Sequence, residues 1–234
     1  MRFKITLHIV LLLIIAFSIL LAACTGNMDE GPGTTDQNNQ EQVQNDETSK
    51  EPQDVAQDED NVEAAWRALA GDGAVLVMRH AIAPGSGDPP GFQLDDCSTQ
   101  RNLSDEGRAQ AAAVGVLLRA KDVQITKVMS SPWCRAIDTA RSMDFTEIEV
   151  TNALWNLFYD PTDREEKVEE ARDLIRNWRG PGVLLLVTHG EMLKAVTDAS
   201  SYPPAGWSFV VQPDPETPLG LRFIGQIPPP DSIK

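Results

Sequence analysis

Short apolar runs closed by polar residues recur along this chain. Residues 74–79 read Ala-Val-Leu-Val-Met-Arg, and similar runs occupy 125–130 and 183–187. A continuous apolar run of five or six residues suits a strand covered on both faces. The intervening stretches carry the period of helices. Ser104 is a cap candidate, with Asp105 and Glu106 in the first turn. Ala111, Val114, Leu117 and Leu118 then form one stripe through Ala120. A second helix is predicted from about Trp133 to Ser142. A third follows Asp160-Pro161, a cap residue and a first-position proline, and runs to about Trp178 before Gly180-Pro181-Gly182. A fourth spans 191–199. Earlier, Asn61 or Val62 opens a short helix through Ala70, with Trp66 and Leu69 on one face. Residues 146–151, 207–211 and 220–227 read as further strands. This alternation predicts an α/β domain: a mostly parallel, open sheet with helices on both faces. Residues 82–103 have no period and form a long loop, a kind of segment that is commonly functional.

The pattern changes sharply toward the amino terminus. Arg2 and Lys4 precede an uncharged apolar stretch, 5–23, which ends in Leu21-Ala22-Ala23-Cys24. A basic start, an apolar centre and small residues mark a secretory signal. The Leu-Ala-Ala-Cys end resembles the bacterial lipobox. That resemblance implies cleavage after residue 23 and acylation of Cys24, anchoring the protein to a membrane of the cell envelope with its domain outside the cytoplasm. Residues 24–62 are then a tether. Between 25 and 62 there are eleven acidic residues against one lysine, with too few apolar side chains to offset the entropy of ordering. Residues 63–234 remain as one domain of ordinary size.

Charge narrows the partners. The whole chain carries a formal −15, which argues against nucleic acid and against anionic headgroups as binding partners. Apart from Cys24 there are only Cys97 and Cys134, whose spacing matches no zinc pattern. No metal or other cofactor is expected.

The candidate chemistry lies where the apolar runs stop. The first delivers Arg79-His80. The second delivers Ser130-Ser131-Pro132-Trp133-Cys134-Arg135. The third delivers Thr188-His189-Gly190-Glu191. In a parallel sheet these carboxyl ends share one edge, where open α/β sheets bind ligands. Arg135 falls in the first turn of a helix, a place that favours an anion and disfavours a lone cation. The pairing of arginine with histidine at these ends points to chemistry on a bound anion.

These residues together resemble the histidine phosphatase superfamily, with its phosphoglycerate mutase-like fold. The resemblance rests on Arg79-His80, on Ser130-Ser131-Pro-x-x-Arg135-Ala-x-x-Thr139-Ala140, and on Val187-Thr188-His189-Gly190. Leu103-Ser104-x-x-Gly107-x-x-Gln110-Ala111 also fits, so that about residues 73–200 are covered. It implies a metal-independent phosphoric monoester hydrolase. His80 would be the nucleophile, Arg79 and Arg135 would hold the phosphoryl oxygens, and His189 would donate to one of them. Two positions depart from the family pattern: Ala81 stands where glycine is frequent, and Gly190 where some members have aspartate. The region 154–160 lacks the glutamate that many members use as proton donor. Glu191 and Asp96 are therefore the leading candidates for that role, with Asp95 also within the loop.

Cys97, in the loop, and Cys134, beside Arg135, flank this expected pocket. Export to an oxidising compartment predicts a disulfide between them. The function expected is hydrolysis of phosphomonoesters through a phosphohistidine at His80. The alternative is a noncatalytic phosphate- or glycan-binding lipoprotein on the same fold, which would have no use for a nucleophile.

Overall fold

A computed structural model describes residues 52–159 and 162–230, with side chains from residue 59. The signal segment, Cys24, most of the tether and Asp160-Pro161 lie outside the described residues. The elements are α1 (Pro52–Leu69), β1 (Val75–Arg79), α2 (Asp105–Ala120), β2 (Ile125–Ser130), α3 (Cys134–Ser142), β3 (Glu149–Val150), α4 (Arg164–Arg176), β4 (Val183–Thr188), α5 (Gly190–Thr197), β5 (Ser208–Pro213) and β6 (Leu221–Ile227). They form one six-stranded sheet in the order β3-β2-β4-β1-β5-β6. β1, β2, β3 and β4 run parallel, whereas β5 pairs antiparallel with both β1 and β6. The mixed α/β architecture is the one anticipated.

The apolar runs become strands because both of their faces are covered. On β1, Leu76 and Met78 face one layer and Val75 and Val77 the other; β4 splits likewise into Leu185 and Val187 against Leu184 and Leu186. The first layer holds Leu69 of α1, Val114 and Leu118 of α2, and Ala136 and Ala140 of α3. The second holds Val168 and Ile175 of α4, and Met192, Leu193 and Val196 of α5. β4, the most central apolar strand, is buried along its whole length.

Helix boundaries differ from expectation in two places. α1 starts at Pro52 rather than Asn61, ten residues inside the expected tether. Proline suits a first helical turn, and the Gln, Ala and Glu residues that follow are adequate helix formers. The apolar stripe of this helix lies toward its carboxyl end, where Ala65 and Leu69 are buried, and a stripe was the signal that set the predicted start. α4 starts at Arg164, with Asp163 in the cap position and no side-chain cap bond. Ser104 caps α2 as expected, accepting from the Gly107 amide at 3.0 Å. Gly107 itself permits a close approach: a Cβ there would lie 2.0 Å from the Ile82 carbonyl oxygen. That approach presses the first turn of α2 against the chain leaving β1. Among the described residues no helix is long and apolar enough to cross a membrane.

Candidate active site

The strand ends converge because their strands are neighbours. Arg79 is paired in register with Thr188, so His80 and His189 leave β1 and β4 at the same level. The His80 amide donates to the Thr188 carbonyl at 2.9 Å. The two imidazoles meet edge to face, with ring centroids 5.4 Å apart. β2, on the other side of β4, brings Ser131, whose amide donates to the Val187 carbonyl at 2.9 Å and whose hydroxyl sits 2.8 Å from His189 Nε2. Thr139 links α3 to the same edge: its hydroxyl accepts from the Ala81 amide at 3.0 Å and donates to the Arg135 carbonyl at 2.7 Å.

The tautomer of His80 follows from its partner. Nδ1 lies 2.8 Å from the Ala81 carbonyl oxygen. A carbonyl only accepts, so Nδ1 carries the proton and Nε2 keeps its lone pair. Burial, then the charge of Arg135, lowers the pKa of His80 to about 3. The ring is thus neutral and nucleophilic at Nε2 at any ordinary pH. His189 is pushed well down by the same causes, burial first and Arg135 next. Its Nε2 shares a hydrogen bond with the Ser131 hydroxyl, and its Nδ1 has no partner among the described residues.

Arg135 is held by a carboxylate that the sequence did not single out. Asp88, in the long loop, takes its NH1 at 2.8 and 3.1 Å. The side chains of Asp88 and Arg135 are 0% and 1% exposed. Asp88 also accepts from the Arg101 amide at 2.8 Å and the Trp133 indole at 3.0 Å. Burial opposes its ionisation, but the Arg101 amide and Arg135 outweigh that and hold its pKa below the usual carboxylate value. Asp88 is therefore an anion that fixes Arg135 and has no proton to give.

Arg101 was likewise not anticipated. Its Nε donates to the Gly87 carbonyl at 2.8 Å and its NH1 to the Ala83 carbonyl, and it lines the same cleft as Arg79, His80, Arg135 and His189. The cleft measures about 250 Å³. A larger groove of about 740 Å³ beside β2 and β3 contains no arginine or histidine, so the chemistry lies in the smaller one.

Four buried side-chain polar atoms lack a partner among the described residues. Three of them are Arg79 Nε, Arg135 Nε and His189 Nδ1, and all three residues line this cleft. A buried donor left unpaired costs about 1–3 kcal/mol. Two unpartnered guanidinium nitrogens and an unpartnered imidazole nitrogen in the cleft that His80 lines suit a multivalent oxyanion. Among the described residues, no group of three histidine, cysteine or acidic side chains could hold a metal ion.

The two proton-donor candidates part company. Glu191 lines the cleft, bonded to the Tyr202 hydroxyl and 3.5 Å from Arg164. Asp96 does not line it. Its carboxylate accepts from the Ser98 amide and hydroxyl, at 2.9 and 2.7 Å, and caps the short turn of 3₁₀-helix 97–99. Asp95 is exposed. Gly190 carries its own constraint, since a Cβ there would come within 3.4 Å of Arg79 Nε, crowding the guanidinium. The expected disulfide is present: Cys97 and Cys134 are bonded, tying the loop to the first turn of α3. Gln100 reinforces that seam, its side-chain oxygen accepting from the Cys134 amide at 3.0 Å.

Comparison with known proteins bears on the family and the fold. Residues 75–179 match the histidine phosphatase superfamily (branch 1). No curated protein matches the chain. Among solved structures, the protein histidine phosphatase SixA complexed with tungstate is similar at 20% identity and a TM-score of 0.51, over 69% of this chain and 99% of that one. The Rv3214 protein from Mycobacterium tuberculosis is similar at 18% identity and a TM-score of 0.49, over 64% and 94%. The match over 75–179 covers just under half of the chain, and the likeness to the SixA structure shows a shared fold.

Proposed function

We propose that this protein is a phosphatase that hydrolyses phosphomonoesters through a phosphohistidine at His80. The single observation that carries the proposal is the set of unpartnered buried nitrogens of Arg79, Arg135 and His189, residues that share one cleft with an imidazole whose Nε2 lone pair is free. In the first step the Nε2 lone pair forms a bond to phosphorus while the bond from phosphorus to the leaving oxygen breaks. Arg79, Arg135 and His189 hold the nonbridging oxygens, where charge builds in the transition state. Glu191, which lines the cleft, serves as the general acid that hands a proton to the departing alkoxide. In the second step water attacks phosphorus, gives a proton to Glu191 and displaces His80 with its electron pair restored. Phosphate release from an aryl phosphate, compared with His80→Ala, tests the reading. Equal rates would favour noncatalytic binding of phosphate or glycan.

The role of Glu191 depends on the leaving group. General acid catalysis contributes about 10²–10⁴ in rate, and a good leaving group needs little of it. Glu191→Gln is expected to slow release from an alkyl phosphate by about 10²-fold or more, with a much smaller effect on an aryl phosphate. Equal losses on both esters would remove Glu191 as the acid.

The proposal includes location. The lipobox-like end at Cys24 supports an exported protein held at a membrane by acyl chains, since two or more chains anchor stably. Cys24→Ser is expected to move the protein from the membrane fraction to the soluble one; retention of the variant with membranes would count against the anchor.

A further inference from the structure

The mouth of the cleft carries information about the substrate beyond its phosphate. Among the described residues, five large hydrophobic side chains are well exposed, and three of them are aromatic: Phe158, Tyr202 and Phe223. One exposed aromatic ring needs no explanation. Here two of the three, Phe158 at 66% and Tyr202 at 50%, line the one cleft that holds the arginines and histidines. They come from separate segments, one following β3 and one following α5.

Both rings are supported from behind. Phe158 packs edge to face on Tyr159 at 5.2 Å. Tyr202 lies under the Lys194 ammonium at 4.6 Å and bonds to Glu191. The nearby cations are already engaged. Arg164 pairs with Glu191, Lys194 covers Tyr202, and Arg101 donates to two backbone carbonyls. Among the described residues Glu191 is the one acidic side chain that lines the cleft, and no unengaged cation there offers a partner to a second anionic group on the substrate. A volume of about 250 Å³ lies below the usual range for ligand pockets, about 300–1,000 Å³, and suits a small monophosphate.

We propose that the alcohol leaving this site is carried on a small uncharged ring, held against the faces of Phe158 and Tyr202. This rests on the phosphatase reading above and narrows its substrate class. Aromatic contacts of this kind contribute about fivefold to tenfold in affinity. A sugar ring and an aryl ring both offer the required face, and the test separates them.

The full chain carrying His80→Asn is used to measure binding without turnover. Its ligands are phenyl phosphate, a hexose 1-phosphate, cyclohexyl phosphate, the acyclic glycerol 2-phosphate and the anionic 3-phosphoglycerate. The ring esters are expected to bind about fivefold to tenfold more tightly than glycerol 2-phosphate, with 3-phosphoglycerate weakest. A preference for the hexose ester over phenyl phosphate would identify a polyol ring, and the reverse an aryl ring. Phe158→Ala and Tyr202→Ala should each bring the ring-to-acyclic ratio toward one, whereas Phe223→Ala, on the outer strand β6, should not. In wild-type protein the same ratio is read in kcat/KM. Equal binding of ring and acyclic esters, or a ratio unchanged by Phe158→Ala and Tyr202→Ala, overturns the proposal. Ring-selective binding without turnover above the His80→Asn background would instead overturn the phosphatase reading and leave the ring site standing.

Discussion

Replacing His80 by alanine is expected to abolish phosphate release, by at least about 10³-fold. The size follows from the role: without Nε2 there is no covalent intermediate, and what remains is a pocket of donors that binds the product as well as the substrate. Wild-type protein quenched during turnover should hold an acid-labile phosphoryl group, and the variant should hold none. If the variant retains a tenth or more of the wild-type rate, His80 is not the nucleophile. The pH dependence supplies a second arm. With His80 titrating at about 3 in the folded protein, no acid limb near pH 6.5 should arise from the nucleophile. A limb that disappears in Glu191→Gln belongs to the donor instead. The same shift makes a statement about stability. An unfolded histidine titrates near 6.5, so between about 6.5 and 3 the unfolded chain binds a proton that the folded one refuses. Stability present above pH 6.5 is therefore lost as the pH falls through that window. His189 contributes in the same direction. Thermal denaturation from pH 7 to pH 4 should show a falling midpoint, less steep in a variant with both histidines replaced by asparagine. A midpoint that rises on acidification would contradict the neutral, buried pair.

The second large effect is expected at Asp88, a residue that never touches phosphorus. Asp88→Ala leaves the buried Arg135 without its counterion and the Trp133 indole and Arg101 amide without their acceptor. Removing one partner of a buried ion pair costs about 3–5 kcal/mol. The urea midpoint should fall accordingly, and phosphate release should drop because Arg135 is no longer held. Inorganic phosphate should recover part of the lost stability, since an anion in the cleft neutralises the same guanidinium. Asp88→Asn, which keeps an acceptor for Trp133 or for the amide, should lose less. A loss below about 1 kcal/mol in Asp88→Ala, the value of an exposed pair, would mean that the ion pair does not hold in solution.

The difference between His80 and Asp88 also measures what could be read from the sequence. His80, Arg79, Arg135 and His189 were legible because each stands at the end of a recognisable apolar run or at the start of the helix after one. Their elements have periods, and the periods locate them. Asp88 and Arg101 lie in a loop without a period. Nothing in the order of residues ranked Asp88 above Asp95 or Asp96, because the choice is made by a tertiary contact 47 positions away in the chain. Asp96 did carry a usable local signal. An acidic residue two positions before a serine commonly bonds that backbone, and Ser98 takes both bonds here. The placement of β5 against β1 was not legible either, because periodicity identifies strands but not their neighbours. The start of α1 was misplaced for a related reason: the sequence from Pro52 to Asp60 carries no apolar stripe.

The in-register pairing of β1 with β4 has a further consequence. Adjacent strands in any sheet lie about 4.8 Å apart, and the 5.4 Å between the two imidazoles is close to that spacing. The separation of His80 from His189 is thus set by backbone hydrogen bonds at the centre of a fully packed sheet. The loop that carries Asp88 and the segments that carry Phe158 and Tyr202 can vary in length and composition without altering it. The proposed chemistry would thus rest on the packed centre of the sheet and the proposed choice of substrate on its periphery, so that one could change while the other stayed fixed.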